Sequence, residues 1–182
     1  AANNVAVGHN ALTANTTGAS NVAIGALALD ANTTASDNVA IGAAVLGANT
    51  TGTRNIGMGS NALTTTTTGD DNVAIGYNAL TLTTGDDNTA VGTHALAANT
   101  TATSCVAMGR ASLYANTTGG SNTAIGTDAM AANTTGGSNA ALGTNSLSAN
   151  TTASYNTAMG HSALTANTTG ASNVAVGKSA LA

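Results

Sequence analysis

Residues 21–37 read N-V-A-I-G-A-L-A-L-D-A-N-T-T-A-S-D, and residues 38–54 read N-V-A-I-G-A-A-V-L-G-A-N-T-T-G-T-R. The second stretch repeats the first in register, and the same unit recurs in both directions. Its copies start at Asn4, Asn21, Asn38, Asn55, Asn72, Asn88, Cys105, Asn122, Asn139, Asn156 and Asn173. The step is 17 residues except for one of 16, from Asn72 to Asn88. That gives ten full units and a partial eleventh ending at Ala182, with no linker and no change of composition. Self-similarity at a short fixed period is the mark of a stacked repeat architecture. Residues 1–182 are read as a single continuous domain without capping repeats.

Numbering the unit from its leading Asn as columns 1 to 17 shows what each position tolerates. Column 4 is always a large aliphatic, from Val7 and Ile24 to Met159 and Val176, and column 5 is always Gly, from Gly8 to Gly177. Column 2 is mostly Val, column 9 is Leu except for Met130, and column 6 varies freely (His9, Ala26, Tyr77, Arg110, Lys178). Apolar residues at columns 2 and 4 alternate with period two and are β-branched, which predicts a strand. The glycine then supplies a corner with φ > 0. Columns 8 to 11 read as a second short strand, and N-T-T-G as a closing turn. Thr, Asn, Ser and Gly are poor inside helices, and the unit is too short for a helix-pair repeat of 33 or more residues. The fold class is therefore all-β: a parallel β-solenoid (β-roll or β-helix) with one 17-residue repeat per coil and about ten to eleven coils. Coils about 4.8 Å apart give a rod of roughly 50 Å. The 16-residue unit lacks the Asn expected before Thr83, so the deletion falls in the N-T-T segment, where insertions and deletions are tolerated.

Composition narrows the function. Charged residues make up 5% of the chain and aromatics 2%; there is no Pro, Trp or Phe. Ordinary soluble domains are about one-quarter charged. Arg54, Arg110 and Lys178 are the only fixed cations and the net charge is −4, so phosphate neutralisation, and with it nucleic-acid binding, is not expected. No stretch reaches the roughly 20 apolar residues of a membrane span, so membrane insertion is not expected either, and no signal peptide is recognisable. Proline would interrupt a ladder, and like charges would stack on themselves in every coil.

Column 3 is Ala in every unit but one, Gly57, and column 8 is Ala with Val45, Ser112 and Ser146 as exceptions. With the larger side chains of columns 2 and 4 taken as the core, alternation turns column 3 outward. An outward position that stays small implies close approach by a second copy. Ala6, Ala23, Ala40, Ala74, Ala90, Ala107, Ala124, Ala141, Ala158 and Ala175 are accordingly the candidate oligomer contacts. Bare end strands template further pairing, so self-association into an end-to-end filament is expected.

The segments N-V-A-I-G at 21–25, 38–42 and 72–76 resemble the head repeats of YadA-type trimeric autotransporter adhesins. The longer unit is also similar to repeats of bacterial and phage tail-fibre-like proteins. The resemblance covers the whole chain, although the 17-residue period and the N-T-T-G side depart from the YadA-type unit. It implies a β-roll, a trimer, and a surface or virion fibre with a host-surface or glycan receptor as partner.

Possible sites are few. His9 and His161 share column 6 nine coils apart and His94 sits in column 7, with no partners suggesting a triad or a metal site. Asp70, Asp71, Asp86 and Asp87 form the one charge cluster; stacked carboxylates suit calcium, while the plainer reading is a solvated acidic patch offset by Arg54. Cys105 stands in the Asn column and reads as a small buried substitute, or as a thiol for an intermolecular bond. Asn15, Asn32, Asn49, Asn99, Asn116, Asn133, Asn150 and Asn167 each match the N-x-[ST] glycosylation pattern. The adjacent threonines, among them Thr16, Thr33, Thr50, Thr67, Thr83 and Thr100, form two ladders that suggest ice binding as the rival function. The leading expectation is a non-enzymatic structural fibre without cofactors, extracellular, on a cell surface or on a virion, and adhesive.

Overall fold

Eleven three-residue strands, one per repeat, stack in the computed structural model into one parallel sheet in strict sequence order. The structure describes residues 2–182. Strands β1 (Val5–Val7), β2 (Val22–Ile24), β3 (Val39–Ile41) and β4 (Ile56–Met58) are followed by β5 (Val73–Ile75), β6 (Thr89–Val91), β7 (Val106–Met108) and β8 (Thr123–Ile125). The last three are β9 (Ala140–Leu142), β10 (Thr157–Met159) and β11 (Val174–Val176). Register is fixed column on column: Val22 pairs with Val39, Ala23 with Ala40, Ile24 with Ile41. The chain is an all-β solenoid with one repeat per coil.

The corner after each strand has the glycine it requires. Gly109 lies at φ 128°, and a Cβ there would sit 2.7 Å from the carbonyl carbon of Gly126 in the next coil. Any side chain would be both strained and in collision with backbone.

The second strand expected at columns 8 to 11 is not present; these columns form a tight turn. Columns 7 and 9 adopt left-handed backbone in every coil: His94 at φ 59° and Leu96 at φ 52° are one example. For a leucine this costs roughly 1–2 kcal/mol. Burying the same side chain completely contributes roughly 1.5–3 kcal/mol, enough to hold it there. The left-handed turn swings column 9 to the inside, and Leu29, Leu46, Leu63, Leu80, Leu96, Leu113, Met130 and Leu147 are all fully buried.

The strand faces are inverted relative to the expectation from side-chain size. Column 3 points in: Ala23, Ala40, Ala74, Ala90, Ala107, Ala124, Ala141 and Ala158 are fully buried and Ala175 nearly so. Only Ala6, in the first coil, is exposed. These alanines line the coil interior and, Ala6 apart, cannot be the contacts to another chain proposed from their small size. The constraint comes from inside. In coil 4, column 3 is Gly57, and a Cβ there would collide with Cγ1 of Val45, the one valine of column 8. Columns 3 and 8 therefore face each other across a narrow interior. Columns 2 and 4 face outward.

Two asparagine ladders fill the rest of the interior. The column 1 amide oxygen of Asn4 accepts the backbone N–H of Asn21 (2.8 Å), and Nδ2 of Asn21 donates across the coil to the carbonyl of Ala35 (2.9 Å). In column 12, Nδ2 of Asn32 donates to Oδ1 of Asn15 in the coil before (3.1 Å) and to the same Ala35 carbonyl (3.1 Å). Buried polar groups are mostly paired, and here, apart from Thr66 Oγ1, Asn99 Oδ1 and Asn156 Nδ2, the ladder side chains tie each coil to itself and to its neighbour. The 16-residue coil keeps this arrangement. Thr83 takes the buried Asn position, accepting from Nδ2 of Asn99 (3.1 Å), and Thr84 bonds to Thr100 as a column 13 residue does. The missing residue is thus the second threonine of the turn, not the asparagine.

Candidate functional site

The outer face of the sheet is the largest chemical feature of the surface. Val7, Ile24, Met58, Ile75, Met108, Ile125, Met159 and Val176 in column 4 are all exposed, between 38% and 69%. Column 2 beside it is half-buried in most coils. No residue of columns 2 to 4 carries a charge in any coil. Three residues at about 3.3 Å and eleven strands at about 4.8 Å make a flat, uncharged face of roughly 500 Å², aliphatic throughout column 4 and broken by Thr89, Thr123 and Thr157 in column 2. That is the size of the largest patch on a typical monomer, which is often functional. Side-chain size, read as a core signal, hid this face. The pairing of the one Gly in column 3 with the one Val in column 8 was the signal that could have revealed it.

The other sites expected from the sequence fare differently. Asn32, Asn49, Asn99, Asn116, Asn133 and Asn150 are fully buried. Each Nδ2 of the column 12 ladder, which would carry the sugar, is already donated, as from Asn133 to Oδ1 of Asn116 (2.7 Å) and to the Gly136 carbonyl (2.9 Å). Asn15 and Asn167 are half-buried and make the same inward bonds, to Gly18 and Gly170. A folded coil has no room for a glycan on this column, so these asparagines are structural and not acceptor sites.

The aspartates are likewise held by protein groups. Asp71 takes a two-pronged contact from Arg54 (2.6 and 2.7 Å), and Asp70 accepts from the backbone and hydroxyl of Thr53. Asp86 accepts the N–H of Asp70 (2.9 Å). Among the described residues no three carboxylates, imidazoles or thiols gather as metal ligands, so Asp70, Asp71, Asp86 and Asp87 do not form the calcium cluster. The Arg54 hydrogen bond and charge hold the Asp71 carboxyl below its usual range.

Cys105 is fully buried in the Asn ladder, its thiol donating to the Gly119 carbonyl (3.3 Å) where an amide would. Burial pushes its pKa up, and an intermolecular bond from the folded rod is sterically closed. The two threonine ladders are unequal: column 13 hydroxyls are donated to the next coil's carbonyl, as from Thr117 to Thr134 (3.0 Å), while column 14 stays exposed.

His9 and His161 are exposed at separate places, but His94 is not alone. Its ring meets Tyr77 edge-to-face at 5.6 Å and Tyr114 at 6.2 Å. Among the described residues the surface has no cavity, and no helix is long and apolar enough to cross a membrane. No family model, curated protein or solved structure matches the chain.

Proposed function

We propose that this chain is the non-enzymatic rod of an extracellular, cell-surface or virion fibre, and that it associates with further copies of itself through the outer face of its sheet. One observation carries the reading: an uncharged strip of valine, isoleucine and methionine runs the full length of the sheet on the side away from the core. Two such strips face to face cover about 1,000 Å² in total, the lower bound for a specific protein interface. A second copy is the natural occupant, because its face has the same length, flatness and coil spacing, so rows of side chains interdigitate without a charge being buried. A trimer brings the single strips of three chains towards one axis. The association face is the Val/Ile/Met side of the strands and not the alanines. The similarity of the N-V-A-I-G unit to adhesin and tail-fibre repeats supports a surface or virion setting, and adhesion follows from the faces that remain outside.

The test is solution mass and shape. Sedimentation at increasing concentration is expected to give multiples of the 17.2 kDa chain, and micrographs are expected to show rods or filaments. Ile24→Thr, Ile75→Thr and Ile125→Thr together, which keep β propensity, are expected to return the chain to a monomer. A wild-type chain that stays monomeric at high concentration refutes the reading.

A further inference from the structure

Aromatic residues are 2% of this chain, yet two of its three tyrosines converge on one histidine. Tyr77 belongs to coil 5, His94 to coil 6 and Tyr114 to coil 7, and the register of the solenoid is what brings them together. The backbone fixes the arrangement, since the N–H of His94 donates to the Tyr77 carbonyl (3.0 Å). Both phenol rings stand nearly upright to the imidazole, at 85° and 80°. Neither is buried: Tyr77 is 51% exposed and Tyr114 48%. Polar groups border the patch. Nδ2 of Asn78 lies 3.3 Å from Nε2 of His94. The patch lies beyond the corner glycine from the apolar strip, so it stays open when the strips are covered.

We propose that this patch binds an extended, β-1,4-linked carbohydrate chain. Exposed tyrosines offer a rigid apolar face with a polar tip, which suits the C–H face of a pyranose ring and its rim of hydroxyls. The Asn78 amide, the imidazole and the phenol hydroxyls supply the few polar groups that fix a ligand's orientation. Both tyrosines stand open on the surface, where a chain can lie along the rod across both of them. Two coils separate the tyrosines, roughly 10 Å at the coil spacing, close to one disaccharide unit of such a chain. This deepens the adhesive part of the proposed function but does not depend on association of the rods.

The experiment titrates the purified chain with cellohexaose and with chitohexaose, reading tyrosine emission and amide chemical shifts. One or both sugars are expected to perturb Tyr77, His94 and Tyr114 while leaving Tyr155 unmoved. Combining Tyr77→Ser with Tyr114→Ser is expected to weaken binding at least tenfold with the melting temperature nearly unchanged. Both changes install a residue that other coils carry in those columns, Ser60 and Ser148, so the coil accommodates them. Binding of neither sugar, or binding that survives in the double variant, overturns the proposal. Failure here with intact self-association leaves the rod standing, and the converse result separates the two in the other direction.

Discussion

Replacing Gly57 by alanine is the most informative small change in this molecule. The added methyl would collide with Cγ1 of Val45, while its other neighbours, the Ala62 carbonyl at 3.7 Å and Cδ1 of Leu63 at 3.8 Å, are at ordinary contact distance. Overpacking of this kind costs about 1–3 kcal/mol. Gly→Ala in extended backbone returns about 0.4–1 kcal/mol through the unfolded chain. The single variant is therefore expected to lose up to about 2.6 kcal/mol. Val45→Ala alone removes two buried methyl groups at about 0.8 kcal/mol each, plus a cavity term, for about 2–3 kcal/mol. The double variant puts alanine in both columns, as most coils already have. It is expected to recover to within about 1 kcal/mol of wild type, a coupling of at least about 1 kcal/mol between residues twelve apart in sequence. Urea unfolding followed by far-UV circular dichroism measures all four corners. Additivity within about 0.5 kcal/mol would refute an interior in which columns 3 and 8 touch.

Neighbouring residues of one strand carry the same logic to charge. Ala124→Asp places an unpaired carboxylate in a fully buried position and is expected to cost several kcal/mol. Ile125→Asp, at a residue 39% exposed, is expected to cost a dilute monomer only about 1–2 kcal/mol of lost apolar burial, and to abolish association; thermal melts and sedimentation compare the two. The Asp71 carboxyl is depressed by Arg54, so whatever the pair contributes is present above the ordinary carboxylate range and is lost as pH falls through the depressed value. Carboxyl-carbon NMR is expected to show Asp71 titrating low, and returning to normal in Arg54→Ala. Cys105, buried and with its thiol pKa raised, is expected to resist a soluble maleimide at pH 8 in the native rod and to react once urea unfolds it.

The period, the coil and the strand were legible in the sequence because they depend on spacing alone. The N-V-A-I-G block recurs every 17 residues, and Gly109 or Gly126 at its end marks a corner no other residue can turn. The inside of the coil was not legible from the same block. Alternation separates Ala124 from Thr123 and Ile125 but does not say which side is in, and volume pointed the wrong way. A 17-residue coil closes around so small a section that alanines, one leucine and two asparagines fill it. The larger aliphatics are then displaced to the surface. The second strand was misread because Leu96 and its equivalents adopt left-handed backbone, a conformation for which leucine gives no signal. Thr83 was misplaced for a related reason: a threonine hydroxyl serves the ladder where the amide of Asn99 does one coil on. The Tyr77, His94 and Tyr114 patch has no sequence motif at all, since its members lie in three columns of three coils and only the stacking unites them.

Disulfide trapping at the centre of the rod tests the central claim that the aliphatic side of the strands is the outer, associating face. Coil 6 is the middle coil of eleven, so copies aligned side by side bring its strand β6 together whether they run parallel or antiparallel. Val91→Cys and Ala90→Cys would each be made in a Cys105→Ser background and exposed to mild oxidant. Val91→Cys is expected to run as a covalent dimer of the 17.2 kDa chain on a non-reducing gel, and Ala90→Cys to remain single. Cross-linking through Ala90→Cys and not through Val91→Cys would contradict the account.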